Sequence, residues 1–116
     1  MIESYDFGFM KIDGKIYSKD LIIFPDRIKD NWWRISGHDL SIEDIKEILE
    51  EKPEYLVIGT GYSGMMRVSE DVKKEIESYG IKVIIDKTPN AYKIFNELLS
   101  KKRKVIGAFH LTCWKN

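Results

Sequence analysis

The residues with most chemical promise are Gly59, Thr60, Gly61, Tyr62, Ser63 and Gly64, which match the G-x-G-x-x-G pattern of a phosphate-cradling loop. Glycines there let the backbone turn tightly beside a pyrophosphate, while the N-terminus of a following helix offers free N–H groups to an anion. Asp86 lies 22 residues beyond Gly64, near the spacing of about 20 expected of a ribose-binding carboxylate. Two features oppose a dinucleotide. Only about one and a half β-α units follow the loop, whereas a dinucleotide fold needs two mononucleotide halves. Ser69 also reads as the helix N-cap, which leaves all three glycines in a loop ahead of the helix. The plainer account is a strand-to-helix connection that needs glycine for its backbone angles.

The other reactive side chains are sparse. His38 and His110 are the two histidines, and Cys113 is the single cysteine. His110 and Cys113 with a remote third ligand would make a thin zinc site, because structural sites usually bring four ligands in closely spaced pairs. Packing at a strand end is the simpler reading of both, and neither a metal nor a cofactor is expected. A Cys113 thiolate with His110 or His38 as base is chemically conceivable, but sequence alone places neither imidazole. Ser63 lacks the second spacer residue of a nucleophile elbow.

The elements that must hold these residues are legible from periodicity and punctuation. Residues 7–12 and 15–18 flank Asp13-Gly14, a dipeptide suited to the positive φ angles of a type I′ turn. Residues 21–24 and 27–35 read as two further strands, the second carrying Trp32 and Trp33, which would face opposite sides of a sheet. A helix capped by Ser41, with Asp44 three residues on, presents Leu40, Ile45, Ile48 and Leu49 on one side and stops before Pro53. Residues 55–58 form a continuous apolar run, as in a strand covered on both faces. Ser69 opens a helix that Gly80 ends, residues 81–85 are the next strand, Thr88-Pro89 caps a third helix, and residues 105–111 close the pattern. Lys101, Lys102, Arg103 and Lys104 suit a helix C-terminus. Met65 and Met66 read as core filling or as a soft lip beside the glycine loop. Strand-helix alternation implies a largely parallel sheet, with the N-terminal hairpins supplying an extra layer or edge.

Composition narrows the function classes. The chain has 116 residues, a length that fits a single domain spanning 1–116. With 43% hydrophobic and 33% charged residues, it is neither disordered nor a membrane span. Its 19 basic and 19 acidic side chains cancel, which removes the electrostatic footprint of a nucleic-acid binder. One cysteine permits no intrachain disulfide, and residues 1–15 contain no secretory or transit pattern, so a cytoplasmic location is expected.

Several motifs in order carry a resemblance: Gly37-His38 before the Ser41 helix, residues 55–61 with their Gly-Thr-Gly turn, Thr88-Pro89-x-Ala91 with Asn96, and residues 108–113 at the end. Together they resemble a small domain-of-unknown-function family. It includes archaeal and bacterial single-domain proteins, a mitochondrial respiratory complex I assembly factor and an adipogenesis-associated animal protein. The resemblance implies an α/β fold of three layers, β+α/β/α, around a mixed sheet in which one strand runs antiparallel to the rest. It implies no established reaction, and it assigns Gly59, Thr60 and Gly61 to this fold and not to a dinucleotide domain. The function expected is a non-catalytic binding or assembly domain acting through a protein partner or a homodimer surface. The alternative is a small enzyme or ligand-binding protein with an anion or nucleotide pocket at the carboxyl ends of the strands. There Gly59, Thr60, Gly61, Ser63, Gly64 and Thr88 would hold the ligand and His38 or Asp86 would act as base.

Overall fold

The computed structural model describes residues 1–112. Its first elements are short antiparallel strands: β1 (Ile2–Asp6), β2 (Phe9–Ile12) and β3 (Lys15–Tyr17), paired in that order as a separate three-stranded sheet. Asp13 (φ 47°) and Gly14 (φ 84°) both take the left-handed conformation between β2 and β3, the geometry that lets a two-residue turn follow the strand twist.

The second sheet contains β4 (Leu21–Ile23), β5 (Ile28–Asp30), β6 (Tyr55–Thr60), β7 (Lys82–Asp86) and β8 (Val105–His110), in the order β5-β4-β8-β6-β7. β6 pairs in parallel with β7 and with β8, while β4 pairs antiparallel with both β8 and β5. Only β4 therefore opposes the common direction, as the family resemblance implies. The last strand in sequence, β8, occupies the centre of the sheet.

Side-chain alternation along these strands divides the core in two. Leu56 and Ile58 of β6, with Ile106 and Ala108 of β8, meet Ile48 and Leu49 of α1 (Lys46–Glu51) and Ile76 of α2 (Glu70–Glu77). Val57, Val105 and Phe109 point the other way, onto Ala91 and Phe95 of α3 (Thr88–Ser100) and onto Ile2, Met10 and Ile12 of the N-terminal sheet. Asn96 ties those two parts of the layer together: Ile2 N–H donates to its Oδ1 (2.9 Å), and its Nδ2 donates to the Ile2 carbonyl (2.7 Å). The three layers are thus α3 with the small sheet, the central sheet, and α1 with α2.

Three local expectations are corrected. Residues 27–35 do not form one strand: β5 ends at Asp30, Asn31 turns left-handed (φ 61°), and the tryptophans follow in irregular chain. The helix after Ser41 begins as a 3-10 turn, Ile42–Ile45, before α1. Thr88 is not a helix cap; Lys87 takes that position and the Thr88 hydroxyl is used elsewhere. Ser69 does cap α2, accepting from Val72 N–H at 3.2 Å.

Phe95 is 2% exposed and packs edge-on against the ring of Phe109, 5.8 Å between centroids. Phe95→Ala is expected to lower the unfolding free energy by about 3–5 kcal/mol in urea titrations, without changing the secondary structure seen by circular dichroism.

Candidate functional site

The chain leaves β6 for β7 on one side and returns past it to β8 on the other, so the connections diverge at the carboxyl ends of β6 and β8. In open α/β sheets such a switch point is where a crevice forms. Here it gathers the loop at residues 59–64, the start of α3, the residue preceding β4 and the segment 31–38.

The glycine loop follows β6 as expected, and it is folded onto its own neighbours. A Cβ on Gly59 would stand 2.7 Å from both the Thr88 hydroxyl oxygen and Phe109 Cδ1, so glycine is what lets the first turn of α3 approach β6. Thr88 Oγ1 accepts from Gly61 N–H (2.9 Å) and donates to the His110 carbonyl (2.7 Å), stitching loop, helix and β8 together. The Gly61 carbonyl accepts from Thr88 N–H (3.0 Å) and Gly64 N–H (3.3 Å). Thr60 Oγ1 donates to the Asp86 carbonyl (3.2 Å), and Asp86 Oδ1 accepts from Lys87 N–H (2.7 Å). Gly59, Thr60, Gly61, Gly64, Asp86 and Thr88 do come together, with these polar groups turned toward one another. Ser63 is half-buried at the outer bend. Met66 enters the core at 2% exposure, whereas Met65 is 52% exposed.

A second polar cluster lies on the other flank of β8. Asp20, just before β4, accepts from Leu111 N–H through Oδ1 (2.8 Å); its Oδ2 lies 2.7 Å from His110 Nδ1 and accepts from Arg34 Nη2 at 2.7 Å. Burial by itself would raise the Asp20 carboxyl. The hydrogen bonds from His110 and the Leu111 amide, with the Arg34 guanidinium beside them, outweigh burial and hold it below its ordinary 3.8. An ionised carboxylate at that distance requires a proton on His110 Nδ1. Arg34 also donates through Nε and Nη2 to the Gly37 carbonyl (3.3 and 3.2 Å) and stacks over Trp32, 4.7 Å from the ring centroid. His38 is not part of the glycine loop; its ring meets His110 edge-on at 5.9 Å.

This arrangement orients an imidazole as an acid-base pair does. Yet His110 Nε2 has no hydrogen-bonding partner among the described residues, so no described nucleophile is set against it. The Cys113 readings lie outside the described residues, and no group of three or more His, Cys, Asp or Glu able to hold a metal occurs among the described ones. Asp20 and Arg34 escape sequence reasoning because they stand 90 and 76 residues from His110. No motif spacing links them; only the β4-β8 pairing does.

The same segment carries the largest exposed apolar side chains. Trp32 is 4% exposed and donates through Nε1 to the Asp44 carbonyl (3.0 Å), but Trp33 is 79% and Ile35 74% exposed. The protein's own layers do not cover the outward tryptophan.

A family model described as a protein of unknown function (DUF498/DUF598) matches residues 2–110. A Danio rerio protein named NADH dehydrogenase (ubiquinone) 1 alpha subcomplex assembly factor 3 is 33% identical over 111 residues, which cover 93% of this chain and 62% of that protein. The chain thus spans about three-fifths of that relative's length. A conserved hypothetical protein of Pyrococcus horikoshii has a similar structure, with a TM-score of 0.83 and 32% identity over 97% of this chain and 99% of that one. A Bartonella henselae structure described as an outer membrane protein gives 0.82 and 26% over 97% and 94%. In the present protein, no helix among the described residues is long and apolar enough to cross a membrane.

Removing the Asp20 charge should cost about 3 kcal/mol or more, since it strands a buried guanidinium and an imidazole proton. A carboxyl held low when folded stabilises above its unfolded pKa, and that stabilisation disappears as pH falls through the folded value. The difference in melting temperature between wild type and Asp20→Asn should therefore be full at pH 6 and shrink below about pH 4. Thr88→Val, which orphans Gly61 N–H and the His110 carbonyl, should cost about 1–3 kcal/mol by urea titration at any pH in that range.

Proposed function

Because this chain belongs to the DUF498/DUF598 family of unknown function, we propose that it is a non-catalytic binding or assembly domain whose contact surface is the Trp33 and Ile35 strip. The observation that carries this reading is the contrast within four consecutive residues, Trp32 to Ile35. Trp32 and Arg34 are held from beneath by Asp44 and Asp20, while Trp33 and Ile35 stand out in solvent at 79% and 74% exposure. A rigidly presented tryptophan loses little conformational freedom on docking, which is why aromatic anchors dominate interface energetics. The assembly-factor name of the Danio rerio relative supports a protein partner, and a second copy of this chain would satisfy the same surface. A cytoplasmic site of action fits the single cysteine and balanced charge.

The second reading keeps a small anionic ligand at residues 59–64, with Thr60 and Ser63 as donors and His38 or Asp86 as base. It draws support from the switch point between β6 and β8. The self-satisfied bonding of Thr60, Gly61 and Thr88 weighs against it.

A photo-crosslinking residue placed at position 33 of the full chain should give one discrete adduct, identifiable by mass as a partner or as a second copy. The same residue at exposed Lys74 should not. Trp33→Ala with Ile35→Ser should weaken the identified complex by about 2 kcal/mol or more, roughly thirtyfold, at unchanged melting temperature. Adducts indistinguishable between the two positions, together with a nucleotide or phosphorylated metabolite that raises the melting temperature, would replace this reading with the second. A ligand at 100 times its Kd stabilises by about 2.7 kcal/mol.

A further inference from the structure

We propose that the cleft over Arg34 is an oxyanion site that receives a carboxylate or phosphate group, separate from the glycine loop. The cleft has a volume of about 480 Å³ and is lined by, among others, Ser18, Lys19, Asp20, Asn31, Trp33, Arg34 and Thr112. The Arg34 side chain forms part of its wall at only 6% exposure. Its Nε and Nη2 groups are used by Gly37 and Asp20, but Nη1 is buried with no acceptor among the described residues. A guanidinium cannot shed a proton to relieve this, so two N–H donors bear their desolvation cost unless something accepts from them.

The adjacent His110 is buried as well. Its side chain is 8% exposed, its Nδ1 is committed to Asp20, and Nε2 is buried without a partner. A donor at Nε2 would need a second ring proton, and His110 is not among the residues that line the cleft, so Arg34 Nη1 alone carries the unused donors. Unsatisfied buried groups in native proteins call for such an explanation.

Charge points the same way. Both Asp20 oxygens are consumed within the cluster, and no carboxylate among the described residues pairs with Lys19, the other cation at the cleft. The cleft is therefore short of negative charge. A group with two or more oxygens matches the fork of a guanidinium in a way a halide cannot, and the Ser18 and Thr112 hydroxyls and the Asn31 amide supply further donors at the wall. β8 separates this cluster from residues 59–64: Asp20 adjoins β4 on one flank, and Thr60 ends β6 on the other. The cleft shares Trp33 and Ile35 with the proposed contact surface, but its test needs no protein partner.

The test is a titration of the full 15N-labelled chain with inorganic phosphate, and separately with succinate, each against sodium chloride at matched ionic strength. The Arg34 side-chain N–H and Trp33 indole resonances are followed. Saturable shifts at Arg34 with either oxyanion and none with chloride are expected, and the stronger of the two arms identifies the group as phosphate or carboxylate. Lys19→Glu, a change at an exposed position, should weaken the affinity at least tenfold with no change in melting temperature. Arg34→Lys, which keeps the charge and loses the fork, should abolish saturation; if it unfolds the chain, Lys19→Glu decides alone. Shifts equal to those with chloride, an affinity indifferent to Lys19→Glu, or saturable shifts confined to residues 59–64 and Thr88 would each overturn the proposal.

Discussion

The Asp20 carboxylate is the point on which the functional end of this molecule depends. Its two oxygens hold the Leu111 amide, the His110 imidazole and the Arg34 guanidinium, and so bring the end of β8 and the segment after β5 together though they are far apart in sequence. Burial opposes its charge, and the surrounding donors overcome that opposition. With the carboxylate in place, the start of β4 is locked to the end of β8, and the irregular segment after β5 is pinned across both. The presentation of Trp33 follows from this, since its neighbours on either side are anchored.

Thr88 does for the other flank of β8 what Asp20 does here. One hydroxyl accepts from Gly61 and donates to His110, and Gly59 has no Cβ because α3 comes so close. The six-residue glycine pattern is thus a consequence of packing a helix start into a strand-to-helix loop. Its likeness to a phosphate-binding fingerprint comes from a shared backbone need, tight turning with close approach, met here by the protein's own threonine.

What the sequence made legible was local in origin. Asp13-Gly14 announces its turn because both residues take the required backbone angles without help, and Ser69 caps α2 from three residues away. The continuous apolar run at residues 55–58 predicts a strand covered on both faces, and the core splits accordingly. The failures share a cause as well. Residues 27–35 look like a single strand from composition, but Asn31 breaks the run, and the anchoring of Trp32 by Asp44 and of Arg34 by Asp20 decides the rest. Thr88 looks like a cap because nothing nearby says that its hydroxyl is needed by Gly61 and His110. The Asp20, Arg34 and His110 cluster is invisible until β4 is known to lie against β8.

The place of β8 in the middle of the five-stranded sheet also bears on how the chain reaches this state. β4 with β5 and β6 with β7 are two halves that share no strand pairing of their own, and the element that joins them follows all four in sequence. During synthesis, each half must wait on the ribosome with an unpaired edge facing the gap that β8 will fill, and no cooperative core can close before residues 105–110 emerge. Contacts between such distant segments make assembly slow and leave those edges open to wrong partners in the interval. For a newly made molecule, the vulnerable period lasts from the appearance of β4 to the insertion of β8, and chaperone protection would matter most within it.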